Sequence, residues 1–226
     1  KKCRHFIIGI GGSATNDGGT GMLQALGYGL LDEKGNPIPL GAKGLKKLCT
    51  ITDDSVLPAL RECSFQIACD VTNTLCGAQG CSAVFGPQKG ADAAMIAQMD
   101  QWLAQYAALT AQKYPHADAN QAGTGAAGGL GFAFVSYMNA VLEPGVNIVL
   151  KETSLENDIR IADLVVTGEG RLDGQTILGK APVGVAGIAK KYGKKVIAFS
   201  GCAAEDAALC NQHGIDAFFP VLQDIQ

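Results

Sequence analysis

Short apolar runs alternate with glycine-rich polar loops through most of the chain, and longer amphipathic stretches fall between them. The runs predict strands at Phe6–Ile10, Gly29–Asp32, Phe65–Asp70, Val146–Leu150, Leu164–Thr167, Lys195–Ser200 and Ala217–Pro220. Several are apolar throughout, as in a parallel sheet covered on both faces. Over residues 91–114, Met95, Met99, Trp102, Tyr106 and Leu109 recur at spacings of three and four, which predicts a helix with one apolar stripe packed into the core. Residues 125–142 predict a second helix, buried all round, with Gly128, Gly129 and Gly131 allowing close approach to a neighbour.

The last third alternates strand and helix with short connections, the pattern of a parallel sheet with crossover helices. The predicted fold class is therefore α/β, two-lobed, with largely parallel sheets flanked by helices and an active site in the cleft between lobes. The lobe boundary falls near residue 160, where "SLENDIRIADL" changes the pattern. This gives a glycine-rich α/β lobe over 1–160 and a β/α lobe over 161–226.

Composition narrows the function. Hydrophobic residues make up 47% and charged residues 17% of 226 positions, which predicts a globular chain with extensive buried surface. A net charge of -3 provides no broad basic field, arguing against nucleic acid or an anionic membrane as partner. Phe6–Ile10 is too short for a signal-peptide core or a membrane span, and the location read from this is cytoplasmic. Eight cysteines without a CxxC pair read as reduced, mostly buried thiols rather than a zinc site. The start at "KKCRHFIIGI", with a strand but no element before it, and the stop just after a strand pattern predict absent segments at both ends.

Chemistry concentrates in three loops. In the first, "HFIIGIGGSATNDGG" runs a strand into Gly11, Gly12, Ser13, Asn16 and Asp17. Gly9, Gly11 and Ala14 match a dinucleotide fingerprint, and Asp32 could supply its ribose acid. That reading needs a helix opening at the glycines, yet Gly18, Gly19 and Gly21 oppose one and place the helix start at Thr20. A second GxGxxG, at Gly123, Gly125 and Gly128, follows no strand.

In "VVTGEGRLDGQTILGKAP" a buried strand leads into a loop holding Glu169, Arg171, Asp173, Gln175 and Thr176, and Lys180 opens the next helix. Gly174, Gly179 and Lys180 have P-loop spacing, but Ala181 replaces the required Ser or Thr. Carboxylates, cations and glycine N–H groups are nevertheless the ingredients of phosphoryl transfer. The third loop places Asp70 and Asn73 after a strand, with Gln88 and Lys89 just before the long helix.

Four stretches, "IIGIGGSATNDGGTGMLQALG", "CDVTNTLCG…AVFGPQKGA", "GTGAAGGLG" and "VVTGEGRLDGQTILGKAPVGVA", in this order closely resemble the glycerate kinase family of bacterial sugar-acid metabolism. The resemblance implies ATP and Mg²⁺ as cofactors and phosphorylation of D-glycerate, with 2-phosphoglycerate the favoured product. It also implies a first-lobe segment before Lys1, which would complete the 161–226 lobe as a discontinuous domain. A homo-oligomer is compatible with the sequence.

In the reading of the residues themselves, Gly11, Gly12 and Ser13 offer donors to an anion. Asp17, Asp70 and Asp173 are candidates for the base, with Asp17 and Asp173 also candidates for Mg²⁺. Arg171, Lys89 and Lys180 neutralise phosphate or carboxylate, while Asn16, Asn73, Glu169, Gln175 and Thr176 orient substrates or phosphate. Two rivals stand beside this reading: a nucleotide- or sugar-acid-binding module without catalysis, and an NAD-dependent oxidoreductase.

Overall fold

The computed structural model describes residues 2–222 and divides the chain into two compact units between Glu143 and Pro144. The first contains β1 (His5–Gly9), α1 (Thr20–Ala25), β2 (Gly29–Leu31), α2 (Ala42–Leu45), β3 (Thr50–Thr52), β4 (Ser64–Ala68), α3 (Cys81–Phe85), α4 (Ala93–Lys113), α5 (Ala126–Met138) and β5 (Val141–Glu143). β1, β4 and β5 form a parallel sheet in that order, with Phe6 in register with Phe65 and Ile67 with Leu142. β2 and β3 form a separate antiparallel pair.

Leu23, Leu30, Leu45, Leu103, Tyr106 and Phe132 meet in one core, all fully buried or nearly so. Each such side chain contributes about 1.5–3 kcal/mol relative to exposure. Phe65, Ile67 and Phe134 form a second core beneath the parallel sheet. α4 begins where the Asp92 side chain accepts the N–H of Met95, a helix N-cap. Its stripe divides: Leu103 and Tyr106 enter the core, whereas Met95 stays exposed.

The second unit contains α6 (Gly145–Glu152), α7 (Leu155–Ile161), β6 (Leu164–Leu172), α8 (Ala181–Lys191), β7 (Lys195–Ala203), α9 (Leu209–Gln212) and β8 (Ala217–Pro220). Its three strands are parallel in the order β6-β7-β8, and Val165, Val196, Ala198, Ala186, Ala189 and Ile215 close a core on one face. Among the described residues, no helix is long and apolar enough to cross a membrane.

Several expectations change. Val146–Leu150 lies in helix α6, not in a strand. Pro144 supplies the helix entry, its carbonyl accepting the N–H groups of Asn147 and Ile148, and Val146 and Leu150 face Gly184 of α8. A short β-branched run cannot itself distinguish the two states. Because α6 and α7 pack on α8, the division lies at Glu143/Pro144 rather than near residue 160. Residues 125–142 are not one helix either. Ala127, Gly128 and Gly129 are left-handed, Asn139 at φ 50° ends the helix, and the chain then extends into β5.

The parallel strands are not covered on both faces by the described residues: Val166, Phe199 and Phe219 are about half exposed. The cysteines are free, with Cys69, Cys81 and Cys210 buried and Cys3 and Cys49 exposed, so fewer are buried than the sequence predicts. Burial pushes the Cys76 thiol up to about 12 and Cys81 to about 11, which makes both poor nucleophiles at neutral pH.

One loop staple yields an acid-stability prediction. Asp216 pairs with Lys190 at 2.5 Å and accepts the N–H of Val196 at 2.7 Å, and these contacts, Lys190 first, hold its carboxyl well below the ordinary range. A carboxyl depressed by folding stabilises the native state above its unfolded pKa of about 3.9, and this contribution fades as pH falls below that value. Asp216→Asn should therefore lower the melting temperature at pH 7 and converge with wild type towards pH 2. A constant difference across that range would show that charge is not its contribution.

Candidate active site

In the first unit the loop after β1 separates two hollows. The smaller, about 230 Å³, is lined by Gly11, Gly12 and Ser13, by Asp70 beyond β4, and by Lys89 and Gln88. Added Cβ atoms at Gly11 or Gly12 would meet nothing within 4 Å, so this backbone lies open, and Gly12 uses the left-handed φ of 70°. The larger, about 710 Å³, lies against Ala14–Asp17 of the same loop and is closed by Leu40–Lys43 and the first turns of α4.

Lys89 lines both hollows. Its Nζ donates to Ser13 Oγ at 2.9 Å and to the Thr15 carbonyl at 2.6 Å. Burial lowers its pKa below the usual lysine value, against the opposing pull of Cys81 and Asp17. Asp17 is 8% exposed; its Oδ1 accepts the Gly19 N–H and its Oδ2 the Gly21 N–H, so the carboxylate anchors the start of α1 at Thr20. That geometry removes the basis of the dinucleotide reading, because the helix opens at Thr20 and not at Gly11. Asn16, 9% exposed, donates from Nδ2 to Ser82 Oγ at 2.9 Å, and its Oδ1 is buried without a partner among the described residues.

The loop is held from behind. Gly128 approaches so closely that an added Cβ would lie 2.1 Å from the Thr15 carbonyl oxygen, and the Gly18 N–H donates to the Gly128 carbonyl. The second GxGxxG is therefore a packing surface: Gly125 similarly meets the Thr74 carbonyl, and its N–H donates to Asn73. Asn73 in turn donates from Nδ2 to the Gln79 carbonyl and lines neither hollow.

The second unit gathers a charged cluster beyond β6. Asp173 Oδ1 accepts the N–H groups of Gln175 at 3.0 Å and Thr176 at 3.1 Å, and lies 3.6 Å from Lys180 Nζ. Arg171 Nε is 4.0 Å from the other carboxylate oxygen. Burial raises the Asp173 pKa, but Lys180 and the hydrogen bonds from Gln175 and Thr176 outweigh it and leave the carboxyl below its ordinary value. Glu169 and Arg171 stand within β6, in register with Ser200 and Cys202, rather than in the loop. Of the N–H groups that a P-loop would direct at phosphate, those of Gln175 and Thr176 are occupied by Asp173, and a 3-10 turn fills the interval.

Among the described residues, no three His, Cys, Asp or Glu side chains converge as a metal cage. Asp17 and Asp173 each present one carboxylate already bound to backbone donors. Either carboxylate taken alone suits only a Mg²⁺ that brings most of its oxygens as phosphate and water.

Met95, Met99, Trp102, Leu40 and Lys43 were not distinguished as site residues by the sequence pattern, which assigns the α4 stripe to the core. Their one signal is position, since the stripe's first residues directly follow the Gln88–Gly90 turn.

The comparisons agree with these motifs. The family model described as "Glycerate kinase family" matches residues 1–226. The chain is 49% identical over 222 residues to glycerate 2-kinase of Escherichia coli K12, covering 98% of this chain and 58% of that protein. It is 46% identical to the glycerate kinase of Bacillus subtilis 168, covering 96% and 57%. A crystal structure from Salmonella typhimurium LT2, assigned as glycerate kinase 2, superposes with a TM-score of 0.87 at 49% identity, covering 98% of this chain and 57% of that one. The chain thus spans somewhat over half the length of these relatives, and by its full-length match it belongs to the glycerate kinase family.

Proposed function

We propose that the protein phosphorylates D-glycerate with ATP, giving 2-phosphoglycerate, in the cytoplasm. The observation that carries the reading is Lys89, a half-buried cation fixed between the Ser13 hydroxyl and the Thr15 carbonyl in a cavity lined also by the open Gly11–Gly12 backbone and Asp70. At about 230 Å³ that cavity suits a three-carbon acid better than a dinucleotide.

In this mechanism the glycerate hydroxyl attacks the γ-phosphorus, the bond from that phosphorus to the bridging oxygen breaks, and ADP leaves. Asp70 is the base that accepts the hydroxyl proton, because it lines the same cavity as Lys89 and the open Gly11–Gly12 backbone. Lys89 and the Gly11–Gly12 backbone neutralise the transferring oxygens. In the second unit, taken by itself, Arg171 and Lys180 flank Asp173 and form a separate cationic cluster suited to phosphate or carboxylate. Mg²⁺ would neutralise the nucleotide phosphates, with Asp17 or Asp173 lending one oxygen.

ADP release should be measured with ATP and a panel of D-glycerate, L-glycerate and lactate, and the product's phosphorus position read by NMR. D-Glycerate-dependent ADP release with phosphorus on the 2-oxygen is expected. ATP binding without turnover on any acid would leave a binding module, and nicotinamide reduction would restore the oxidoreductase.

A further inference from the structure

We propose that the larger hollow receives the nucleoside of the phosphate donor, leaving the smaller one for the acid; this rests on the kinase reading above. Its walls are unlike those of the small cavity. Met95, Met99 and Trp102 project from α4 and Leu40 faces them from the loop before α2. Apolar groups of this size are usually driven into a core, yet Met95 is 46% and Leu40 75% exposed, although the core of the same unit begins two turns further along α4. A three-carbon acid with a carboxylate and two hydroxyls cannot use thioether and indole surfaces. A purine can, by stacking and sulfur contacts.

Size and charge point the same way. The volume of about 710 Å³ falls within the roughly 300–1,000 Å³ of pockets that bury nucleoside-sized ligands. Lys43 and Lys89 line it against one carboxylate, Asp17, so a ligand with a polyanionic tail is favoured. Lys89 is also part of the small cavity. A nucleotide lying with its base against Trp102 would therefore direct its phosphates towards the partition where Lys89 binds Ser13 and Thr15, and the terminal phosphate would reach the acid's side. α4 thus packs through Leu103 and Tyr106, while Met95 and Met99, one to two turns earlier, and Trp102 at the edge of that core meet the ligand.

Trp102 is the only tryptophan in the chain, which makes the test direct. Its fluorescence should be saturably quenched by a non-hydrolysable ATP analogue, and not by tripolyphosphate or D-glycerate. Met95→Glu and Leu40→Asp, both at exposed positions, should each weaken analogue binding by about tenfold, by placing a carboxylate against the base or its phosphates, with the Kd for D-glycerate unchanged. Calorimetric binding of the analogue with static Trp102 emission and unaltered affinity in both variants would place the nucleoside elsewhere and leave the kinase reading intact. An equal quench by tripolyphosphate would also overturn the assignment. Absence of any calorimetric binding would overturn both.

Discussion

Lys89→Met should reduce glycerate phosphorylation by about 10²–10³-fold, the scale for losing one preorganised contact to transition-state charge. Methionine retains most of the aliphatic stem, so the loss would report the ammonium rather than packing. The ammonium is held by Ser13 Oγ and the Thr15 carbonyl, both on the loop that divides the two hollows, and is partly desolvated there. Interaction with phosphate is stronger in that setting than in open water. The decrease should appear mainly in kcat, with the melting temperature shifted by only a few degrees, as expected for about 1 kcal/mol of lost hydrogen bonding. Lys89→Arg should recover little, because a planar fork does not reproduce one nitrogen donating to two oxygens in different directions. A Lys89→Met kcat within twofold of wild type would remove this residue from the chemistry.

Gly128→Ala should destabilise the first unit by about 2–5 kcal/mol, the sum of roughly 1–2 for a left-handed residue and roughly 1–3 for overpacking. Gly128 has φ 67°, and a Cβ there would lie 2.1 Å from the Thr15 carbonyl oxygen and 2.7 Å from Asn16 Cα, both backbone atoms with little freedom to retreat. Gly35 separates the two effects. Its φ is 79° but a Cβ would meet nothing within 4 Å, so Gly35→Ala should cost only the conformational part. Denaturant midpoints for the pair measure the difference. Equal shifts would show that the loop is not braced by Gly128. Since Thr15 also accepts from Lys89, a displaced loop should lower activity more than the lost stability alone would.

The sequence is most legible where one local signal suffices. β8 is found at Ala217–Pro220 as its short apolar run predicts, and β1, β4 and β7 shift only at their ends. Gly18 and Gly19, both left-handed, delay α1 to Thr20, while Gly21 is tolerated in its first turn. The four family motifs are contiguous strings, so membership in the glycerate kinase family is readable without coordinates.

What the strings do not contain is which residues become neighbours. Whether Val146–Leu150 is strand or helix was decided by Pro144 at its start and by Gly184 of α8 receiving Val146 and Leu150, a contact about forty residues away that local periodicity cannot encode. Asp17, Asp70 and Asp173 are equivalent as carboxylates in the sequence. Tertiary structure turned the first to the N–H groups of Gly19 and Gly21, the third to Lys180, and placed Asp70 in the wall of the cavity that Lys89 also lines. The Met95–Leu109 stripe has a uniform helical period, yet only its later part is enclosed. The sequence thus determined that a glycine-rich loop follows β1 and that an amphipathic helix follows Lys89. Only the fold decided which side of that loop each residue would face, because a hollow forms where separate elements fail to fill the space between them, and local sequence carries no record of that space.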